Sequence, residues 1–370
     1  MHLFDSHTHL DFSQYDGIRN DIIKEAFDNG ITGIINIGVD LQSSKKSIEL
    51  ARRYENIWAA IGYHPHDASK LTSGILAELE KMASADKVVA IGEIGLDFYR
   101  NLSPKKEQYD AFEKQIRLAR KLKLPLVVHI RDAYDEAIDV LAYNGADEVG
   151  GVLHCFAGDE KHIDAGKKLG FVFSFNGTIT FKKSRAPSMA KYAGIENILI
   201  ETDCPFLAPV PYRGKMNKPV YVRYVADKLA EIFPSLSSDE ISRITDDNAR
   251  KLFGLPHEES GKIAYVIRNS LYLNITNECS NNCFFCARNN NYRIREYNLR
   301  LNYEPAVEDI LREVGDTGGY DEVVFCGYGE PTYRLDTLMN VARELKKRGA
   351  HLRLNTNGQG SLINGRNIVP

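Results

Sequence analysis

Eight short apolar runs, each followed by a longer amphipathic stretch, occupy roughly the first 250 residues, the usual length of a (β/α)8 barrel. The alternation of strand and helix patterns predicts a parallel sheet, and eight repeats predict a TIM-type barrel of the α/β class. Val127-Val128 is apolar on both faces, which is typical of a strand covered by helices. The predicted strands are Leu3–Phe4, Ile31–Val39, Ile57–Gly62, Val88–Gly92, Leu126–Ile130, Gly151–Cys155, Phe171–Phe175 and Ile198–Thr202.

A second, shorter alternation follows a polar stretch at Leu255–Asn269, which predicts a connector. Its predicted strands are Leu271–Ile275, Glu322–Phe325 and Leu352–Leu354. We therefore expect a barrel domain at residues 1–256, a linker at 257–269 and a second α/β domain at 270–370. The second domain has room for about half of the strand–helix units of a barrel, so we expect it to be partial. A partner chain or a further C-terminal segment would complete it.

Composition restricts the functional classes. The chain carries 47 basic and 50 acidic side chains, a formal net charge of −3, so nucleic-acid binding has to be confined to a local site. No apolar run approaches the roughly 20 residues of a membrane span, and the N-terminus lacks a signal-peptide pattern. Three of the six cysteines fall within eight residues, which favours a metal cluster over a disulfide framework. These features predict a cytoplasmic protein that has no membrane partner.

Histidines and carboxylates follow apolar runs directly and so lie at the carboxyl ends of the predicted strands of the barrel; Glu93 is expected to end the fourth strand. His7 and His9 lie two positions apart on one strand, so their imidazoles point to the same side and can share an ion. The carboxyl ends of all strands meet at one mouth of a barrel, where active sites form. Six potential ligands are expected there: His7, His9, Glu93, His129, His154 and Asp203.

Four imidazoles and two carboxylates suffice for two divalent ions that share one bridging carboxylate. Two ions ~3.5–4 Å apart can activate a water and neutralise the charge of a phosphate together. Asp203 is also the candidate that orients or deprotonates the attacking water. Imidazole-rich ligation favours Zn or Mn over Mg, but spacing leaves all three open. The expected arrangement has Glu93 between the ions, with His7, His9 and Asp203 on one and His129 and His154 on the other.

Two further side chains are candidates for contacts to the substrate. His64 ends the third predicted strand and can contact a water at the ions or a phosphate; a structural histidine beside Pro65 is the alternative. Arg213 follows a proline-rich loop after the eighth strand, and its planar guanidinium suits a phosphate. A solvated loop arginine is the alternative for that position.

The barrel region carries sequence blocks that resemble a known family. The blocks are Phe4–Asp11, Gly62–His66, Gly92–Asp97, His154–Phe156, Glu201–Pro205 and Pro211–Pro219. In this order they resemble the signature blocks of the TatD-type metal-dependent deoxyribonucleases, and the resemblance covers residues 1–254. It implies a two-metal barrel that cleaves nucleotides from DNA, with metal ligands at the six positions already singled out.

Three cysteines in the second domain have the spacing Cys-x3-Cys-x2-Cys: Cys279, Cys283 and Cys286. Three thiolates on one loop can hold three irons of a [4Fe–4S] cluster and leave the fourth iron open to another ligand. A structural zinc site would need a fourth ligand. Cys326 could supply it only after folding.

The cysteine loop and two later segments resemble the radical S-adenosylmethionine enzymes. Phe285 stands before the last cysteine, Phe325–Pro331 resembles the Gly-Gly-Glu-Pro strand end, and Leu354–Gly358 resembles the third strand end. The resemblance implies a [4Fe–4S] cluster and S-adenosylmethionine as cofactors. The residues it implies for cofactor binding are Gly327, Gly329, Glu330 and Asn355.

Three functional hypotheses remain open at this level. The first is a hydrolase that cleaves DNA or another phosphodiester, most readily as an exonuclease. The second is a radical S-adenosylmethionine enzyme in which the first barrel is auxiliary. The third is a binding module with structural metals. The complete ligand set and Arg213 argue against it, because a structural metal site closes its coordination and needs no phosphate-binding arginine.

Overall fold

The computed structural model describes residues 2–256, 261–281, 283, 286, 292–295, 297–301 and 303–368. The chain divides into two compact units, residues 1–255 and 256–370. Of the helices in the described part of the chain, none is long and apolar enough to cross a membrane.

The first unit is an eight-stranded parallel sheet whose strands follow one another in chain order, which confirms the predicted barrel. Its strands are β1 (Leu3–Thr8), β2 (Ile31–Ile37), β3 (Ile57–Ile61), β4 (Val88–Asp97), β5 (Leu126–Arg131), β6 (Gly151–Leu153), β7 (Phe171–Phe175) and β8 (Ile198–Ile200). Its helices are α1 (Arg19–Asp28), α2 (Leu41–Arg53), α3 (Ser73–Met82), α4 (Lys105–Leu122), α5 (Tyr134–Tyr143), α6 (Glu160–Lys168), α7 (Ala186–Ala193), α8 (Val222–Ile232) and α9 (Ser238–Phe253). Short 3₁₀ turns lie at Ser13–Tyr15, Pro65–Lys70, Ala146–Glu148, Gly177–Thr180, Ile195–Asn197 and Pro219–Tyr221.

The barrel closes between its last and first strands by a short parallel bridge between Thr8 and Cys204. The Asp203 amide donates to the His7 carbonyl at 2.9 Å, and the His9 amide donates to the Cys204 carbonyl at 2.9 Å. Below this seam the Asp5 carboxylate accepts hydrogen bonds from the Thr202 amide and hydroxyl at 2.8 and 2.6 Å. A buried side chain therefore replaces backbone pairing below the bridge.

The inward side chains of the strands form an apolar core inside the barrel. Phe4, Trp58, Val127 and Val152 belong to it, and Phe253 from α9 packs on the same cluster. The opposite faces of the strands pack against the surrounding helices in a second, larger apolar layer. Each strand is thus buried on both faces, as its apolar sequence predicts.

Strand β4 continues beyond the predicted end at Gly92, so the expectation that Glu93 ends the strand is wrong. Its register with β5 shifts between Ile91 and Ile94 and then continues to Asp97. Gly95 has φ +141 and lies so close to β5 that an added Cβ would be 2.0 Å from the His129 carbonyl oxygen. The register shift at Glu93 and this close approach let β4 continue to pair with β5 as far as Asp97. Such an irregular strand cannot be recognised from the local sequence pattern.

The second unit contains a four-stranded sheet whose strands lie side by side in the order Leu352–Leu354, Glu322–Phe325, Ser270–Leu273 and Ala264–Ile267. Its strands are β9 (Ala264–Ile267), β10 (Ser270–Leu273), β13 (Glu322–Phe325) and β14 (Leu352–Leu354); a hairpin is formed by β11 (Arg293–Ile294) and β12 (Tyr297–Asn298). Its helices are α10 (Val307–Val314), α11 (Leu335–Lys347) and α12 (Gly360–Ile363), with a 3₁₀ turn at Pro331–Arg334. Strands β10, β13 and β14 are parallel, whereas β9 is antiparallel to β10. This is a partial sheet, as predicted.

The predicted linker is wrong for residues 264–267, because they form β9. Ile267 pairs with Ser270, so Arg268 and Asn269 are the two loop residues of a tight hairpin. These two polar residues gave the segment the composition of a connector. Residues 257–260 of the predicted linker lie outside the described residues, and the domain boundaries stay a prediction.

Gly95→Ala tests the close approach of β4 to β5. The methyl group would clash with a backbone carbonyl at a φ that L-residues rarely adopt, so we expect the barrel to lose about 2–4 kcal/mol of unfolding free energy. Urea titration followed by the fluorescence of Trp58, the single tryptophan of the chain, measures this loss. Gly74→Ala in α3 is the matched control, because its Cβ would make only an ordinary contact with Thr72 Oγ1 at 3.8 Å, and a gain of about 0.5–1 kcal/mol is expected. Equal stability of Gly95→Ala and wild type would contradict the tight register.

Candidate metal centre

The candidate ligands continue the inward rows of the barrel strands. His129 lies two residues beyond the core residue Val127 on β5, and His154 lies two residues beyond Val152 of β6. Because alternate residues of a strand share a face, these imidazoles extend the apolar core into a polar layer at the carboxyl ends. The structure thus brings the predicted metal ligands together at the expected mouth.

The first group of ligand atoms consists of His7 Nε2, His9 Nε2, Asp203 Oδ1 and Glu93 Oε2. The two imidazole nitrogens are 3.2 Å apart. Asp203 Oδ1 lies 3.8 Å from the His7 nitrogen and 3.4 Å from the His9 nitrogen. Glu93 Oε2 lies 3.5 and 3.6 Å from the same two nitrogens.

The second group lies around the other carboxylate oxygen of Glu93. Oε1 is 2.9 Å from His129 Nδ1, 2.9 Å from His154 Nε2 and 3.4 Å from His64 Nε2. His129 Nδ1 and His154 Nε2 are 3.2 Å apart. Each oxygen of Glu93 therefore serves a different group, and His64 stands beside the second one.

Both groups fit the size of a divalent ion. Two ligands at about 2.0–2.1 Å from one tetrahedral ion lie about 3.3 Å apart, close to the separations between nitrogens in each group. His9 Nδ1 lies 3.1 Å from the Ile37 carbonyl oxygen, to which it can only donate, so in the neutral imidazole Nε2 carries a lone pair that can bind a cation. Without an ion, a proton on Nε2 can instead be donated to Asp203 Oδ1, 3.4 Å away.

Charge balance in the centre depends on Glu93, which is almost completely buried. Burial alone would raise its pKa, but attraction to His154 and His64 and hydrogen bonds from His129 and His154 bring the pKa well below its usual value. Burial lowers the pKa of His64 to about 4, because the neighbouring imidazoles offset the attraction of Glu93. The centre therefore combines an ionised carboxylate with at least one neutral imidazole at neutral pH.

Two further carboxylates lie beside imidazoles of the centre, and sequence reasoning gave neither a role. Asp97 Oδ2 lies 3.3 Å from His129 Nε2 and 2.8 Å from His66 Nε2. Hydrogen bonds such as the one between Asp97 and His129 fix the tautomer of a ligating histidine. Glu201 Oε1 lies 3.6 Å from His154 Nδ1 and accepts a hydrogen bond from the Cys155 amide at 2.8 Å; with His7 and His154 it forms a further group that could hold an ion. Both carboxylates belong to the sequence blocks that resemble the family, and this resemblance was the sequence signal that could have found them.

Arg213 is exposed, and its guanidinium lies 4.4 Å from the centre of the Phe181 ring. Both residues belong to loops that follow strands, on the face of the barrel that carries the histidines. A role of Arg213 in substrate binding stays a prediction.

In the second unit, the predicted cysteines Cys279, Cys283 and Cys286 are half-buried. The Cys286 amide donates to the Cys283 carbonyl at 3.0 Å, and Asn357 Nδ2 lies 4.0 Å from Cys279 Sγ. The second contact joins the cysteine loop to the segment that follows β14. Phe285 lies outside the described residues.

The two predicted glycines after β13 allow close backbone contacts. An added Cβ would be 2.1 Å from the Asn274 side-chain oxygen at Gly327 and 2.4 Å from the Thr276 carbonyl oxygen at Gly329. Asn274 Oδ1 accepts from the Tyr328 amide at 2.9 Å. The glycines thus let the loop lie directly on the chain that follows β10.

Glu330 is buried, and its carboxylate accepts hydrogen bonds from residues of its own loop and of the segment after β14. The donors include the Thr332 hydroxyl at 2.7 Å, the Thr356 hydroxyl at 2.8 Å and the Asn357 amide at 2.6 Å. The Glu330 side chain is therefore engaged by the protein itself. Asn355 is exposed at the end of β14.

Comparison with known proteins identifies the barrel. The family model described as TatD related DNase matches residues 4–254, more than half of the chain. The chain belongs to the TatD family. This confirms the resemblance seen in the sequence blocks, and the protein is accordingly a metal-dependent hydrolase of that family.

Relatives of this TatD family member are similar over the whole barrel. The metal-dependent hydrolase YabD of Bacillus subtilis is 41% identical, over 68% of this chain and 98% of its own length. A protein of Pectobacterium parmentieri named 3'-5' ssDNA/RNA exonuclease TatD is 33% identical, over 68% of this chain and all of its own. The crystal structure of the TatD homologue YjjV of Escherichia coli has a TM-score of 0.65 at 28% identity, covering 69% of this chain and 98% of its own.

The second unit matches a different family model, the radical SAM superfamily, over residues 273–361. The match begins in β10 and ends in α12, so it includes the cysteine loop and the loop after β13. The TatD barrel is thus followed by a radical SAM domain, as the sequence resemblance implied.

Asp97→Asn tests whether the hydrogen bond between Asp97 and His129 orients this histidine for metal binding. The Arg100 amide holds Asp97 Oδ1 at 2.7 Å, so the new amide nitrogen would face His129 and His66 and repel their N–H groups. We expect Mn²⁺ affinity, measured by competition with a chelating dye, to fall about 10- to 100-fold. Asp28→Asn, an exposed aspartate of α1, is the control and should bind as wild type does. Unchanged affinity of Asp97→Asn would contradict the orienting role.

Proposed function

We propose that the TatD barrel is a two-metal phosphodiesterase that removes nucleotides from single-stranded DNA. The observation that carries this proposal is the division of Glu93 between two groups of ligand atoms, one at each carboxylate oxygen. A carboxylate in this position can bridge two ions, which is the arrangement of enzymes that displace oxygen at phosphorus.

The residues that would hold the ions are His7, His9, Asp203 and Glu93 for the first, and Glu93, His129 and His154 for the second. Mn, Zn and Mg are the candidate ions. When bound, the two ions supply positive charge that activates water and stabilises negative charge on a phosphate. The chain itself supplies their spacing, since these residues lie on or just after strands β1, β4, β5, β6 and β8 of one barrel.

Asp203 is the proposed acceptor of the proton from the attacking water. Its side chain is 13% exposed compared with 4% for Glu93, so it can reach a water at the mouth. Burial would raise its pKa, but the hydrogen bond from His9 and attraction to His7 outweigh burial and lower the pKa. The carboxylate is therefore ionised and able to accept a proton at neutral pH.

Two side chains of the mouth are proposed to bind the substrate. His64, with its low pKa, is neutral and can donate to a phosphate oxygen or orient the water. Arg213 is exposed on the loop after β8 and can bind a phosphate with two parallel hydrogen bonds. DNA as the substrate is supported by the names of relatives such as the 3'-5' ssDNA/RNA exonuclease TatD.

The test is nuclease activity of the full chain on end-labelled single-stranded DNA with Mn²⁺ or Mg²⁺. Wild type should release mononucleotides, and Glu93→Ala and Asp203→Asn should each lose at least about a hundredfold in rate, the scale of losing one charge-stabilising group. Glu231→Ala, at an exposed carboxylate of α8, should retain the wild-type rate. Absence of cleavage by wild type with Mn²⁺, Mg²⁺ and Zn²⁺ would overturn the proposal.

A second function is proposed for the radical SAM domain because residues 273–361 match that superfamily. Cys279, Cys283 and Cys286 would hold a [4Fe–4S] cluster, and the loop with Gly327, Gly329 and Glu330 would bind S-adenosylmethionine together with Asn355. The cluster and S-adenosylmethionine supply radical chemistry when bound. In the alternative to the nuclease proposal, this chemistry is the main activity and the barrel is auxiliary.

Anaerobic reconstitution with iron and sulfide tests the cluster. Wild type should bind about four irons per chain, and Cys283→Ser should lose most of them because three thiolates are the minimum for such a loop. Cys326→Ser is the control, since this cysteine follows β13 and is outside the loop. Equal loss in Cys326→Ser would instead indicate a site with four cysteines. A change of the electron paramagnetic resonance spectrum of the reduced cluster on adding S-adenosylmethionine tests the cofactor.

A further inference from the structure

Exposed apolar side chains of the barrel concentrate on the face that carries the histidines. On the helices, Tyr143 in α5 and Tyr192 in α7 are exposed. Most of the exposed large apolar residues instead belong to loops that follow strands: Ile18, Tyr99, Leu102, Phe206, Leu207, Val210 and Met216. Apolar surface gathered at the mouth of a site is typical of ligand binding.

Among these side chains, Phe206 lies next to a candidate metal ligand. Its ring centre is 6.4 Å from that of His9 and 6.1 Å from that of Phe12. Phe12 in turn stacks on His9, with ring centres 4.7 Å apart and an angle of 20° between the planes. The side chain of Phe206 is nevertheless 46% exposed, so part of its ring faces solvent beside the first ligand group.

The backbone holds Phe206 in this exposed position. Its amide donates to the Asp203 carbonyl at 2.9 Å, and its carbonyl accepts from the side chain of Asn217 at 2.6 Å. Asn217 is fully buried and also donates to the Thr202 carbonyl at 2.8 Å. The backbone of Phe206 is therefore held beside Asp203, although its ring is not packed into the core.

We propose that Phe206 is a stacking platform for a nucleobase of the substrate, next to the phosphate that reacts at the metal centre. This inference rests on the proposed nuclease function and names the part of the substrate that the barrel recognises. A flat base can cover the exposed ring while its phosphate reaches Asp203 and the histidines. Asp203 precedes Phe206 by three positions in the chain, and His9 lies beside Phe206 at the mouth. Stacking on an aromatic ring tolerates every base, because each has a π-face.

Stacking of this kind selects single strands. A base inside a duplex has both faces covered by its neighbours, so it has to leave the stack before it can lie on Phe206. A base at a single-stranded end is free to do so. The platform thus gives a physical reason for a preference between single and double strands that phosphate contacts alone do not provide.

The experiment compares two single-stranded oligonucleotides that differ by one base. The first oligonucleotide is normal. The second carries an abasic tetrahydrofuran residue in place of one nucleoside, and this residue is placed in turn at each of the three positions nearest the cleaved end. We expect Phe206→Ala to lower kcat/KM about 5- to 100-fold on the normal strand, the range of losing one stacked base, and less than about twofold on the abasic strand at the stacked position. Phe206→Trp should keep the wild-type discrimination, and Tyr143→Ala, on an exposed tyrosine of α5, should match wild type on both.

Equal losses on the normal and abasic strands at every position would overturn the platform, because they would mean that Phe206 acts through the loop of Asp203. An unchanged kcat/KM of Phe206→Ala on both strands would overturn it as well. In both cases wild type still cleaves, so the nuclease proposal stands. Failure of wild type to cleave either strand with any of the three metals would overturn the nuclease proposal, and the platform with it.

Discussion

The buried carboxylate of Glu93 is the group on which the barrel site depends. An ionised carboxylate removed from water is costly unless opposite charge and hydrogen-bond donors surround it. Among the described residues, its carboxylate oxygens lie 2.9 to 3.6 Å from five ring nitrogens. The nitrogens belong to His7, His9, His64, His129 and His154. Because these imidazoles come from several strands, the charge of Glu93 is satisfied only when the strands have their native register.

Much of this arrangement could be predicted from sequence for a simple geometric reason. An apolar run that ends in a histidine two positions after an inward residue places that histidine at the mouth, as Val127 and His129 illustrate. Local patterns contain this information, since side chains alternate along a strand. The fold class and the grouping of the six ligand positions followed from it. The family resemblance added the reaction class.

What could not be predicted depends on contacts between distant segments. The extension of β4 to Asp97 requires β5 alongside, and it is this extension that brings Asp97 to His129. In the same way, the strand at Ala264–Ile267 exists because β10 pairs with it, and its polar hairpin turn resembles a connector when read alone. The role of Glu201 could not be predicted for another reason. A carboxylate that follows a strand has the same local sequence pattern whether it binds a metal or orients a metal ligand.

Both units use a buried acidic side chain where neighbouring parallel strands lack backbone pairing. In the barrel, Asp5 of β1 accepts from the Thr202 amide after β8; in the second unit, Glu330 after β13 accepts from the Asn357 amide after β14. Backbone pairing is missing at these places, so an amide that the neighbouring strand does not satisfy needs another acceptor. A side-chain carboxyl group supplies one, because each of its oxygens offers lone pairs to a donor. In the barrel this contact lies below the bridge between Thr8 and Cys204, which pairs the two segments again at the mouth. In the second unit the chains after β13 and β14 separate beyond the hydrogen bond from the Asn355 amide to the Phe325 carbonyl, and the Asn357 amide still has an acceptor.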